Sequence, residues 1–266
     1  MTKTKPAISA IVPVFNEEKT VAKVVKTLAS SSLIGEVICI NDCSKDKSLS
    51  ALKKFGDRIL LLDYKRNMGK GHALAEGIKR AGGEIVVFVD ADLVNLSEGH
   101  LKTLLDPVLT GRARAVLGYC PQVKYLPSMW SELTGERVYY KKDLTPHLRK
   151  ISKSRFGVEV YLNNLFKAKK VKTIPLRGLR GLLKHQKHGY KTAVYEYLNE
   201  GVEIALEIGK REMLTPEDKR IIKNLKKVTN LDELKKMIAK LYNKSIKRYL
   251  VRYVLRYLRE IYSNRL

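Results

Sequence analysis

A mostly parallel β-sheet with helices on both faces is predicted by three features of residues 7–92. Four short apolar runs, 7–14, 36–40, 59–62 and 84–89, are separated by segments whose apolar residues recur at helical spacing. The runs are rich in β-branched residues and nearly unbroken, the pattern of strands buried on both faces. Each is followed by polar residues: Asn16-Glu17, Asn41-Asp42, Asn67 to Gly71, and Asp90 to Asp92. Ligands of open α/β sheets bind at the carboxyl ends of the strands, so these four clusters are expected to form one site.

The elements follow in order. Ala7 to Val14 is a strand that stops at Asn16-Glu17-Glu18, and residues 17–29 set Val21, Val24, Val25 and Leu28 on one helical face. Glu36 to Ile40 is a second strand, ended by Asn41-Asp42-Cys43-Ser44. Ser48 to Phe55 reads as a helix, Ile59 to Leu62 as a strand, and Asn67-Met68-Gly69-Lys70-Gly71 as a loop. A helix from His72 to Arg80 follows, closed by Gly82-Gly83. Glu84 to Val89 is the most strand-like run and ends in Asp90-Ala91-Asp92. Beyond it come a helix over Leu101 to Leu109, a strand over Ala115 to Tyr119 and a loop over Pro121 to Gly135. A helix over Phe156 to Ala168 and a strand over Val171 to Leu176 complete this part. Residues 200–266 are almost wholly helical in pattern, broken near Thr215-Pro216 and Thr229-Asn230. Two domains are expected: an α/β domain over 1–198 and a basic helical region over 199–266.

Composition narrows the function classes. The 266 residues carry 52 Lys+Arg against 27 Asp+Glu, a net charge of +25, and 44% are hydrophobic. A core can form, which excludes wholesale disorder, and the charge points to an anionic partner. Three cysteines, Cys39, Cys43 and Cys120, are too few for a disulfide framework and fit a reducing compartment. No Cys or His pair near Cys39 and Cys43 completes a zinc site. Residues 1–6 lack the apolar core of a secretory signal, and no run approaches the ~18 apolar residues of a spanning helix. A cytoplasmic protein is expected. Nucleic acid is argued against as the partner: aromatics are only 8%, no nucleic-acid motif is present, and a carboxylate-lined strand edge repels phosphate without a metal.

Asp90-Ala91-Asp92 is the sharpest local feature. Two carboxylates one residue apart, leaving a strand, can face one point and suit Mg²⁺ or Mn²⁺ shared with a diphosphate. Such an ion neutralises charge on a departing nucleoside diphosphate. With this motif, four segments in order resemble the family 2 glycosyltransferases, whose fold is GT-A. Ile11 to Glu18 is similar to the family's opening nucleotide strand. Ile40 to Asp46 is similar to its Asp-Asp-Gly-Ser turn, Asn67 to Gly71 to its Gly-Lys-Gly loop, and Asp90 to Asp92 to its metal motif. The resemblance covers roughly residues 7–180 and is nearest to the polyprenyl-phosphate enzymes of the dolichol-phosphate mannose synthase type. Asn41 stands where the family has the first acid of a pair, and Cys43 where it has glycine.

The resemblance implies roles. Pro13, Phe15 and Glu17 line the base and ribose pocket, and Asp42 accepts from the base N–H of UDP or GDP. Lys70 reaches the donor diphosphate, with Gly69 and Gly71 allowing close backbone approach. Asp90 contacts ribose or metal, Asp92 binds metal, and His185 is a further candidate metal ligand. Leu133 to Tyr139 resembles an acceptor segment. Arg137 and Arg155 are then candidates for holding an acceptor phosphate, and Glu136 or Glu159 the base for a hydroxyl acceptor. Glu159 can equally be a helix N-terminal charge, and His185 part of an exposed basic loop.

Residues 244–266 carry seven Lys/Arg against Glu260, a net of +6. On one helix, Leu250, Val251, Val254, Leu255, Leu258 and Ile261 form an apolar arc beside a basic arc of Arg248, Arg252, Arg256 and Arg259, with Tyr249, Tyr253 and Tyr257 between. Such a helix either lies at an anionic membrane face or packs on the protein. The expected activity is inverting, metal-dependent transfer of a hexose from a nucleoside-diphosphate sugar to a polyprenyl phosphate, by an enzyme peripheral to the cytoplasmic membrane face. A soluble transferase acting on a small anionic acceptor such as phosphoglycerate is the alternative, and a basic nucleic-acid-binding protein the alternative of another class.

Overall fold

A computed structural model describes residues 7–121, 133–187, 189–212, 214–228 and 230–263. The chain forms two compact units, Met1–Leu182 and Leu183–Leu266.

The first unit holds one seven-stranded sheet. Its elements are β1 (Ile8–Val14), α1 (Val21–Ala29), β2 (Glu36–Asp42), α2 (Ser48–Lys53), β3 (Leu60–Tyr64), α3 (Lys70–Arg80) and β4 (Ile85–Phe88). They continue with α4 (Glu98–Leu109), β5 (Ala115–Tyr119), β6 (Glu136–Tyr140), α5 (Lys141–Leu144), α6 (Leu148–Lys153), α7 (Val158–Phe166) and β7 (Val171–Pro175). The order across the sheet is β3-β2-β1-β4-β6-β5-β7. β1 pairs in parallel with both β2 and β4, and β5 with β7, whereas β6 runs antiparallel between β4 and β5.

Alternation along each strand feeds two buried layers, which is why the runs read as unbroken apolar sequence. Val12, Cys39, Ile85, Val87 and Val138 face one layer with Val21, Val24 and Leu28 of α1 and Leu101, Leu104 and Leu105 of α4. Ile11, Ile38, Ile40, Val86, Phe88 and Tyr139 face the other with Leu74 and Ile78 of α3, Ile151 of α6 and Leu162 and Phe166 of α7. The chain moves outward from β1 to β2 and β3, then crosses to β4 on the other side of β1. The crevice at that switch is the natural ligand site of such a sheet.

One strand goes beyond the sequence reading: residues 136–140, which follow the expected 121–135 loop, are strand β6. Because it enters antiparallel, its first residue lands at the edge where the neighbouring β4 ends, with Arg137 opposite Phe88. The Asn67–Gly71 loop is also shorter than expected, since α3 begins at Lys70.

The second unit is helical: α8 (Lys184–Lys187), α9 (Tyr190–Gly209), α10 (Pro216–Asn224), α11 (Leu231–Ala239), α12 (Lys244–Arg252) and α13 (Val254–Ser263). It begins earlier than the expected 198/199 boundary, because α9 runs straight through that point and buries Ala193, Tyr197 and Leu198 together with Val202 and Ala205. The expected breaks are helix starts. Thr215 accepts from the Asp218 N–H at 3.0 Å with Pro216 following, and Asn230 accepts from the Glu233 N–H at 2.8 Å.

The basic tail is two helices rather than one, divided at Tyr253. Its apolar arc is already covered within the unit: Leu250, Val254, Leu255 and Leu258 are buried, and Val254 fills the space above Gly201 of α9. Val251 alone of the described arc residues is exposed, beside Lys244, Arg248 and Arg252 on the outer face of α12. No described helix is long and apolar enough to cross a membrane.

Leu250 at 1% exposure and Val251 at 43% test this packing. Leu250→Ala is expected to destabilise the lipid-free protein by about 2–5 kcal/mol in chemical denaturation followed by circular dichroism. Val251→Ala is expected to stay within about 0.5 kcal/mol of wild type.

Candidate active site

The polar clusters meet at the carboxyl edge of the sheet. The turns after β1 and β2 are latched together: the Asn16 N–H donates to Ser44 Oγ at 3.0 Å, the Lys45 N–H to Asn16 Oδ1 at 2.7 Å, and the Glu17 N–H to Ser48 Oγ at 2.7 Å. Asn16 holds φ 57°, a left-handed conformation that asparagine tolerates better than most residues. Pro13 and Glu17 are half-buried here, and the Phe15 ring is exposed.

Asp42 serves a purpose different from the expected base contact. It lies on the α3 side of β2, alternating with Ile40, and is 4% exposed. Its two carboxylate oxygens accept the backbone N–H groups of Met68 and Gly69, both at 2.7 Å. Arg155 holds the same turn from elsewhere, donating to the Met68 carbonyl at 3.3 Å and to Asn67 Oδ1 at 3.2 Å. The turn between these two groups sets where α3 begins. Gly69, at φ 91°, takes a conformation that a side chain resists, and the Arg155 side chain lies against it. Gly71 is small for another reason: a Cβ there collides with the Ile151 carbonyl of α6. The close backbone approach expected toward a ligand is thus spent, at Gly71, on helix packing.

Held this way, Lys70 at the first turn of α3 reaches Asp90 Oδ1 and Glu159 Oε1, each at 2.8 Å. Burial works against the ammonium, but the two carboxylates outweigh it and hold its pKa well above the usual lysine range. Glu159, near the start of α7, is buried. Its oxygen on Lys70 makes it a partner of that lysine rather than a free base.

Glu136 opens β6 and is 5% exposed. Burial, then the charges of Asp90 and Asp92, push its carboxyl up to about 8 from the usual 4.5. Thr134 Oγ1 lies 2.5 Å from both the Gly118 carbonyl oxygen and Glu136 Oε2. The Thr134 hydroxyl donates toward these acceptors, and its bond to the carboxylate opposes the upward shift without overcoming burial and the neighbouring charges. Burial, then the charges of Glu136, Asp92 and Asp90, raise the Cys120 thiol just after β5 to about 12, which leaves it unreactive at neutral pH. The sequence reading places Thr134 in the acceptor-like segment and names Cys120, but the interaction of neither with Glu136 is visible there.

Arg137 is corrected. One residue along β6 from Glu136, it points to the opposite face and is 1% exposed. It donates to the Thr134 carbonyl at 2.6 Å, Tyr139 Oη at 3.1 Å and Asn163 Oδ1 at 2.7 Å. It ties the Thr134 turn to α7 and has no surface to offer an acceptor phosphate. His185 lies on α8 of the second unit, stacked on Tyr190 at 5.9 Å. Among the described residues no three His, Cys, Asp or Glu side chains are grouped as a metal site.

The donor set nonetheless suits a hard cation. Asp90 and Asp92 supply two carboxylates two residues apart just past the end of β4, and their charges add to burial in raising the Glu136 carboxyl. Mg²⁺ and Mn²⁺ take one or two protein carboxylates and fill their remaining positions with substrate phosphates and water.

The profile of glycosyl transferase family 2 matches residues 9–173, more than half of the chain. The chain belongs to that family. This glycosyltransferase is 33% identical over 102 residues to a dolichyl-phosphate beta-glucosyltransferase of Trichomonas vaginalis, covering 34% of the chain and 31% of the relative. It is 31% identical over 116 residues to the glucosyl-3-phosphoglycerate synthase of Mycobacterium tuberculosis, covering 41% and 36%. The alignments span about a third of the length of the curated relatives. The crystal structure of the Mycobacterium tuberculosis synthase with phosphoglyceric acid superimposes with a TM-score of 0.61 at 19% identity, over 80% of this chain and 82% of that one. The expected GT-A fold is therefore the fold of the glycosyltransferase.

Two measurements test the site. Between pH 4.5 and 8 the folded protein keeps a Glu136 proton that the unfolded chain releases, so this group's contribution to stability falls as pH rises through that range. In metal-free buffer Glu136→Gln is expected to match wild type near pH 5 and to exceed it near pH 8.5, by at most ~1.4 kcal/mol per pH unit crossed. Asp42→Asn turns one of its two acceptors into a donor facing an amide N–H. It is expected to cost about 1–3 kcal/mol in denaturation.

Proposed function

We propose that this glycosyltransferase moves a hexose from a nucleoside-diphosphate sugar to a polyprenyl phosphate, with inversion at the anomeric carbon and with Mg²⁺ or Mn²⁺ bound. The observation that carries the donor half is the Lys70–Asp90 ion pair at the switch between β1 and β4, with Asp92 two residues further along the chain. Asp90 and Asp92 are the residues to hold the metal, and Lys70 the cation to hold the diphosphate. The bound ion supplies charge neutralisation for the leaving diphosphate. Pro13, Phe15 and Glu17, at the end of β1, border the position for the nucleoside.

An acceptor phosphate is anionic at neutral pH and attacks without a general base. That fits a site whose two candidate bases are engaged, Glu159 on Lys70 and Glu136 on Thr134. Relatives named for dolichyl-phosphate and undecaprenyl-phosphate transfer support a lipid acceptor. The reading places the enzyme at a cytoplasmic membrane face. Lys244, Arg248 and Arg252, exposed on α12, provide the contact with anionic lipid.

A second reading is favoured by the glucosyl-3-phosphoglycerate synthase matches, one of them a complex with Mn²⁺, UDP and phosphoglyceric acid at TM-score 0.55. Here the acceptor is a small soluble phosphate, and the donor site is unchanged.

Radiolabelled UDP-glucose and GDP-mannose, each with Mn²⁺, separate the two when offered polyprenyl phosphate or 3-phosphoglycerate. Label extracted into organic solvent is the expected result. Label retained in an anionic water-soluble product selects the second reading, and no transfer from either donor to either acceptor contradicts both. Asp92→Ala is expected to reduce transfer by roughly 10²–10³-fold, the cost of losing one group that stabilises transition-state charge.

A further inference from the structure

Lys70 and Asp90 are both needed by the proposed donor site, yet in this structure they are bonded to each other. The ammonium lies 2.8 Å from Asp90 Oδ1 and 2.8 Å from Glu159 Oε1. The three side chains are 17%, 27% and 9% exposed, so the interaction is only partly screened by water. The backbone of Gly135 lies so close to Asp90 that a Cβ there would strike its carboxylate. Asp90 therefore has little room to swing away, and a cation reaching it must displace the lysine. The lysine, in turn, keeps Glu159 as a partner when it leaves Asp90. Lys70 is also fixed at its backbone, by the turn that Asp42 and Arg155 hold, so the exchange is a movement of the side chain alone.

We infer that Lys70 is a resident counter-ion of the metal site, which Asp90 exchanges for the divalent cation only when a nucleoside diphosphate arrives to take the lysine. Metal alone meets an ammonium already on its ligand. A diphosphate alone would draw the ammonium off Asp90 and leave that carboxylate without its counter-ion. Arriving together, the cation replaces Lys70 on Asp90 while the ammonium turns to the phosphates and stays paired with Glu159. The lysine thus couples the two binding events, beyond the coupling that follows from the metal touching the phosphates. The inference rests on the proposed donor site and assigns Lys70 a second role there, against metal binding in the absence of nucleotide.

The test reads Mn²⁺ binding without turnover. Free Mn²⁺ is counted by electron paramagnetic resonance, with and without the nucleoside diphosphate that binds, for wild type, Lys70→Met and the double variant Lys70→Met/Glu159→Gln. The double variant removes one positive and one negative charge, so the local net charge stays that of wild type if the single variant fails to fold. In whichever variant keeps a cooperative unfolding transition, Mn²⁺ alone is expected to bind about tenfold more tightly than in wild type, ~1.4 kcal/mol, while diphosphate affinity falls. Unchanged or weaker Mn²⁺ binding without nucleotide overturns the inference and leaves the donor site standing. Wild type that binds neither Mn²⁺ nor any nucleoside diphosphate overturns the donor site itself, and the inference with it.

Discussion

One ammonium group joins three separate parts of the catalytic unit. Lys70 enters from the start of α3, Asp90 from the end of β4 and Glu159 from α7, and the two ion pairs bring them together. Without that cation, Asp90 and the buried Glu159 would lose their shared counter-ion. Such an arrangement costs several kcal/mol per unpaired buried ion. The protein meets the problem in two ways: Lys70 neutralises part of the charge, and Glu136 takes up a proton.

The rest of the local architecture supports that lysine. Asp42 and Arg155 hold the turn before it, and the interlocked loops after β1 and β2 steady Asp42's surroundings. Arg137 anchors the Thr134 turn that controls Glu136. Residues whose types suggest contact with substrate are thus used one step back, to place those that make it. Buried charged groups with complete hydrogen bonding are well suited to this, because they tolerate few alternative geometries.

The fold was largely legible in the sequence because burial on both faces leaves unbroken apolar runs. β1, β2, β4 and β5 are strands that such runs announce, and Thr215 and Asn230 announce helix starts. β6 was hidden, since it opens with Glu136 and Arg137, a polar pair that only a buried site and an opposing helix can accommodate. The site was legible as a set of positions and less so as roles. The sequence places Asp42, Lys70, Asp90 and Asp92 at one edge. Whether Asp42 meets a nucleobase or two backbone amides depends on how the next loop folds back. The tail shows the same limit: an apolar arc on a helix looks alike whether lipid or α9 covers it, and here the unit's own helices cover it.

The central claim is that the acids after β4 and Lys70 form a metal-dependent nucleoside-diphosphate site. Thermal unfolding with UDP, GDP and ADP, each with and without Mn²⁺, on wild type and Asp92→Ala, tests it most directly. Stabilisation of ~2.7 kcal/mol is predicted at a hundred times the dissociation constant, for one of the diphosphates, only with the metal, and not in Asp92→Ala. Equal stability with every nucleotide, or a shift that survives both metal removal and Asp92→Ala, contradicts it.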